Sequence, residues 1–167
     1  GKTTLKNLLS FALRNYGKSY NSPYSYNNKF GVPVSLANLR SNTNYGVFEI
    51  GMSKKGEINK LSKIVEPEIG IITNISEAHI ENFKNLKDVA KAKSEIIDNI
   101  LKDGHIILNK DGKFFKFLFK KAQKKKINIT SFSYKKKADI FLAGVRKIKN
   151  HYRLKINVKN KIFYFDT

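Results

Sequence analysis

The sequence predicts an α/β fold with a mostly parallel sheet and an antiparallel β extension at its C-terminal end. Three observations carry this. Between residues 45 and 133, short apolar runs of strand length alternate with stretches whose apolar residues recur at helical spacing. That order is the signature of βαβ units and a parallel sheet. Beyond residue 138 the helical patterns stop, and three strand-like runs follow one another across short polar turns. Finally, the chain opens on Gly1-Lys2-Thr3-Thr4, directly ahead of a helical pattern.

Taken in order, a helix is predicted over residues 5–15. The polar stretch 17–28, rich in Ser, Asn and Tyr, reads as a long loop of the kind that carries function. Residues 45–50 form an apolar run ending at Gly51, a buried strand. Over 56–65, Ile58, Leu61, Ile64 and Val65 fall at helical spacing and stop before Pro67. A strand follows over 69–75, a long helix over 86–101 and a strand over 105–109. Residues 113–126 place Phe114, Phe117, Leu118 and Ala122 on one helical face, and 127–133 is a further strand. The closing meander comprises 138–148, 152–158 and 162–165, with turns at Lys149-Asn150 and Lys159-Asn160. The chain shows no internal repeat and no linker.

Composition excludes several classes of function. With 167 residues the chain is long enough to bury a sizeable core, as one domain or one with an appended piece. Cysteine is absent, which rules out disulfides, thiolate metal sites and a cysteine nucleophile. No apolar run approaches the ~20 residues of a membrane span, and no signal peptide is visible, so a cytoplasmic protein is expected. The formal net charge is +20. Lysine is spread along the whole chain, and the runs 124–126 and 135–137 fall at a helix end and a turn. This favours a solvated surface over a basic nucleic-acid-binding module, which needs clustered cations with interleaved aromatics. Here the Phe residues fall at core spacing instead. A basic field still gathers anionic small substrates.

Gly1-Lys2-Thr3-Thr4 is the back half of a phosphate-binding loop, which makes the predicted fold a P-loop mononucleotide-binding domain. Backbone N–H groups at such a helix start converge on phosphate oxygens, and the helix dipole favours the anion. Lys2 would reach the terminal phosphates, and the Thr3 hydroxyl would sit on magnesium. An exposed Lys/Thr helix start is the competing reading. Ligands of open α/β sheets bind beyond the carboxyl ends of the strands. Glu49, Asn74 and Asn109 lie at three such ends. Between Phe48 and Ile50, Glu49 is paired, holds a cation, or lies in solvent. His79 follows Asn74 in the same loop and is a metal-ligand candidate, although magnesium prefers oxygen. Lys93 lies nearer the buried stripe of Val89, Ile96, Ile97 and Ile100 than Lys87 or Lys91 does; an ordinary exposed helix lysine is the alternative.

These residues occur in one order with Asn27-Asn28-Lys29-Phe30-Gly31-Val32-Pro33, Glu49-Ile50-Gly51-Met52, Gly56-Glu57-Ile58, His79-Ile80-Glu81, Ala92-Lys93-Ser94-Glu95-Ile96 and Asn109-Lys110-Asp111. The series resembles the central domain of the Mur ligases over essentially the whole chain. The resemblance implies an amide ligase that activates a carboxylate with ATP to an acyl phosphate and lets an amine attack it. The Asn-Asn and Glu-Ile-Gly segments point to the member whose acceptor is UDP-N-acetylmuramoyl-tripeptide and whose amine is D-alanyl-D-alanine, in peptidoglycan precursor synthesis. By similarity, Gly1, Lys2, Thr3 and Thr4 hold ATP, with Asn109 on the adenine side. Thr3 and Glu49 hold a first magnesium, and His79 holds a second together with Lys93 as a carbamate. Lys2, Glu49, His79 and Lys93 form the catalytic set, while Asn27, Asn28 and Asn74 meet the substrate. The segment 109–112 departs from the family by lacking a second acidic residue. Another Mur ligase or folylpolyglutamate synthetase is the nearest alternative. The family has three domains, so this chain is expected to be a middle domain truncated at its N-terminal edge. The N-terminal UDP-substrate domain and the C-terminal domain are expected to lie outside it, leaving a monomer inactive by itself.

Overall fold

Helix α1 (Lys2–Leu13) is capped by Gly1, whose carbonyl accepts the first helical hydrogen bond from Leu5 N at 3.1 Å. The computed structural model describes residues 1–76 and 82–167. They form two units, Gly1–Pro67 with Ser76–Leu101, and Glu68–Ile75 with Lys102–Thr167.

In the first unit, α1 packs on a parallel pair, β1 (Ser19–Asn21) and β2 (Tyr45–Val47), with Ser19 opposite Tyr45 and Asn21 opposite Val47. The buried residues of α1 are Lys6 and Ser10. Ser10 Oγ meets Ser19 Oγ at 2.9 Å, while Leu8 and Phe11 are exposed. Helices α2 (Gly31–Ala37), α3 (Glu57–Val65), α4 (Leu86–Lys93) and α5 (Glu95–Asp98) complete the unit. Its core is Val32, Met52, Ile58, Leu61, Val89, Ala90, Ala92, Ile97 and Ile100. Gly56 caps α3 with φ +88°, a conformation glycine adopts without strain. The Glu95 carboxylate accepts from the Gly56 and Asn59 N–H groups at 2.9 and 3.0 Å, tying α5 to the start of α3.

Several boundaries differ from the sequence reading. The first helix begins at Lys2, not residue 5, because Lys2, Thr3 and Thr4 supply its first turn. The predicted 17–28 loop contains β1, a polar strand that has no alternation to betray it. Helix α2 was not predicted. Its Pro33 sits in the first turn, where a missing N–H costs nothing. The helix predicted over 86–101 divides at Ser94, whose hydroxyl donates to Lys91 O at 2.7 Å. Such back-bonding offers the backbone an alternative to continued helix. The strands predicted over 45–50 and 69–75 end at Val47 and Ile72.

The second unit is one sheet of order β3-β4-β5-β6-β7-β8. Strands β3 (Ile69–Ile72), β4 (His105–Asn109), β5 (Asn128–Ser133) and β6 (Ile140–Ile148) pair in parallel. Strands β7 (His151–Val158) and β8 (Lys161–Asp166) add the antiparallel meander expected from the sequence. Helix α6 (Phe115–Lys125) covers β4 and β5, burying Leu118 and Ala122 with Ile72, Ile106, Leu108 and Ile127. The Lys159-Asn160 turn has φ of 47° and 70°, the paired left-handed residues of a tight hairpin that matches strand twist. Among the described residues, no helix is long and apolar enough to cross a membrane.

Candidate active site

Among the described residues, the first unit contains eight of the sequence candidates: Gly1, Lys2, Thr3, Thr4, Asn27, Asn28, Glu49 and Lys93. Glu49 follows the end of β2 and is only 5% exposed. Its carboxylate accepts the Thr3 hydroxyl at 2.7 Å through one oxygen and the Asn27 side-chain amide at 2.7 Å through the other. Both donors are neutral. The Glu49 N–H donates to Ser22 Oγ at 3.3 Å. Gly51 N donates to Asn27 O at 2.7 Å, and a Cβ at Gly51 would fall 2.8 Å from Asn27 Oδ1. Glycine there lets the two segments touch.

Thr3 sits in the first turn of α1, where the leading N–H groups have no intrahelical partner. That turn carries no acidic side chain and no side-chain cap. Gly1, Lys2 and Thr4 are exposed around it. Lys93, at the end of α4, is half-buried; burial first, and the Lys2 ammonium second, hold its amine below the ordinary lysine range. The predicted lean of Lys93 toward the buried side of its helix is therefore observed, and it lies within electrostatic reach of Lys2.

Asn28 serves its own backbone: Oδ1 accepts from Phe30 N and Gly31 N, both at 3.0 Å, starting α2. His79 lies outside the described residues. In the second unit, Asn109 closes β4; its side chain donates to Thr73 O at 3.0 Å and accepts from Asp111 N at 2.9 Å. Asn74 and Asn109 line a small pocket there with Phe114 and Phe115. Sequence reasoning missed Lys6 and Ser22, both buried against the loop that leads to Asn27. A lysine beside Leu5 and a serine before Pro23 carry no local signal of burial.

The paired oxygens of Thr3 and Glu49 suit a hard divalent cation such as magnesium, which takes few protein ligands and keeps waters or phosphate oxygens. Among the described residues, no group of three His, Cys, Asp or Glu side chains clusters. A helix start open to anions, a cation-ready carboxylate and an amine biased toward neutrality meet in one unit.

Comparison with known proteins follows the same line. The family model of the Mur ligase middle domain matches residues 1–167. The UDP-N-acetylmuramoyl-tripeptide–D-alanyl-D-alanine ligase of Rickettsia prowazekii is 34% identical over 162 residues, 96% of this chain and 36% of the relative. Its counterpart in Buchnera aphidicola from Acyrthosiphon pisum is 38% identical over 148 residues, 87% of this chain and 32% of the relative. A crystal structure of MurF from Acinetobacter baumannii superposes with TM-score 0.91 at 30% identity, covering 99% of this chain and 36% of that one. The chain thus spans about a third of the length of the curated relatives it matches. With the match running from Gly1 to the last strand, the chain belongs to the Mur ligase middle-domain family.

Proposed function

We propose that this chain is the ATP-binding middle third of a ligase that joins D-alanyl-D-alanine to UDP-N-acetylmuramoyl-tripeptide. The product is a peptidoglycan precursor, and an acyl phosphate is the intermediate. The observation that carries the reading is the 2.7 Å bond between Thr3, at the start of α1, and the buried Glu49. It joins the hydroxyl and the carboxylate that this chemistry needs on one cation. ATP and a UDP-linked acceptor put the reaction in the cytoplasm.

In this reading the tetrad is a P-loop. The N–H groups around Gly1 and Thr4 cradle phosphate, and Lys2 meets the terminal phosphates as a point charge. Thr3 and Glu49 hold one magnesium, and His79 with a carbamylated Lys93 holds another. Magnesium, when bound, neutralises phosphate charge that builds during transfer. Asn27 keeps the Glu49 carboxylate from rotating. Lys93 must give up a proton before its amine can take up carbon dioxide, and its half-buried place beside Lys2 favours that loss. The carbamate turns a repelling cation into an oxygen ligand. Asn109 lies on the adenine side, and Asn28 and Asn74 on the substrate side.

The test is direct. The full-length protein, given ATP, magnesium, UDP-N-acetylmuramoyl-tripeptide and D-alanyl-D-alanine, should release ADP and phosphate in step with the pentapeptide product. Hydrolysis without amide formation, or ligation of glutamate to a folate instead, would overturn the substrate assignment.

A further inference from the structure

Lys6 is 3% exposed, on the face of α1 that packs against the β1–β2 pair. Its ammonium donates to two backbone carbonyls, Ser22 O and Tyr24 O. Desolvating an ammonium is costly, and here only neutral dipoles among the described residues offset that cost. The second of those dipoles is unusual. Tyr24 has φ 42°, a left-handed conformation that is uncommon for an aromatic residue, and its side chain is 84% exposed. Tyr24 is a corner of a tight turn that the Tyr26 N–H closes onto Pro23 O at 3.0 Å, its ring tilts against that of Tyr26, and Lys6 holds the carbonyl at this corner. Strained backbone of this kind persists where surrounding contacts over-determine it.

The carbonyls that Lys6 grips belong to the segment that builds the site. Ser22 is fully buried, its N–H donates to Val47 O at 3.0 Å, and its hydroxyl accepts from Glu49 N. Three residues after Tyr24 comes Asn27, which donates to Glu49 and accepts from Gly51. We propose that Lys6 is a positioning residue. By stapling residues 22–24 to α1 it keeps Asn27 on Glu49, and so fixes the direction in which that carboxylate faces Thr3. What Glu49 then holds rests on the proposed function; the staple itself does not, and its hydrogen-exchange test needs neither metal nor nucleotide.

The experiment is amide hydrogen exchange on the metal-free, full-length protein carrying Lys6→Met. The Glu49 and Gly51 amides should exchange at least about tenfold faster, while Ile106 and Leu108 in the other unit stay within about twofold of wild type. Equal acceleration everywhere means general destabilisation and overturns the proposal, as does no change. Adding Tyr24→Gly, which accepts the left-handed backbone freely, should recover part of the lost protection; no recovery refutes the account of the strain. The wild-type protein supplies an arm that survives if Lys6→Met does not fold. The Lys6 ammonium should give a side-chain nitrogen resonance with slowly exchanging protons, and solvent-rate exchange would sink the staple. In the ligation assay, Lys6→Met with Asn27→Ala should need no more magnesium than Asn27→Ala alone; additive effects would mean that Lys6 does not act through Asn27.

Discussion

The Thr3 hydroxyl and the Glu49 carboxylate meet at 2.7 Å across 46 residues of sequence. One residue belongs to the first turn of α1 and the other follows β2, so the bond welds a helix start to a strand end. With Asn27 on the opposite carboxylate oxygen, both Glu49 oxygens accept from neutral donors.

Glu49→Gln is therefore the sharpest single change. The amide preserves shape but removes the charge and turns one of the two accepting oxygens into a donor, so ATP-dependent ligation should fall by roughly 100-fold or more with the fold intact. Turnover near wild type, with an unchanged circular dichroism spectrum, would take Glu49 out of the site.

Lys93→Ala in the full-length protein should be nearly inactive, and a short carboxylic acid in the medium should restore part of the rate by supplying the missing oxygens. The amine is held below the ordinary lysine range, so the neutral form that takes up carbon dioxide grows as pH rises through that lowered value. At fixed dissolved carbon dioxide, wild-type activity should rise with pH, and it should fall when bicarbonate is removed. Activity indifferent to both bicarbonate and Lys93→Ala would rule out a carbamate.

Gly31→Ala probes the loop beneath the site. An added Cβ would lie 2.6 Å from Tyr26 Cα and 2.7 Å from its carbonyl carbon, both backbone atoms. The loop must shift, at a cost of about 1–3 kcal/mol. Urea denaturation should report that loss, and an unchanged midpoint would show that the 26–31 turn yields freely.

Asp139 links β5 to the start of β6. The Ser131 hydroxyl and N–H donate to one of its oxygens at 2.6 and 2.7 Å. The Ser131 side-chain bond is the main cause that lowers its carboxyl below the ordinary range, outweighing the opposing effect of burial. A lowered folded-state value means the stabilisation is complete above the unfolded value and is lost as pH falls through the folded one. Between about pH 5 and pH 2, the thermal midpoint of Asp139→Asn should therefore fall less steeply than that of wild type. Parallel acid curves would count against this linkage.

The charge of +20 makes a separate prediction. If it is dispersed surface lysine, binding to duplex DNA should be weak, indifferent to sequence and steeply weakened by salt. Selective binding that survives physiological salt would favour the nucleic-acid reading.

The alternation of strand-length and helix-period segments was legible in the sequence, because each element's local pattern records which of its faces is buried. Ile106 and Leu108 on β4, or Ile58 and Leu61 on α3, are buried as their spacing requires, whereas Ile64 and Phe117, read on the same helical faces, are exposed. The order of the short motifs that mark the family was legible for a related reason: they are local strings whose chemistry depends on neighbours in the chain. The tertiary structure alone decided what converges. Nothing near residue 27 says that its amide will reach Glu49, and nothing near Lys6 says that its ammonium will be buried under Tyr24. The polar strand β1 shows itself only through its partner Tyr45–Val47, and Asn28 is taken up by the start of α2. Local periodicity is set by solvent on one side of an element, whereas these contacts depend on closing loops of tens of residues against the packing of the whole unit. No short window of sequence contains that information.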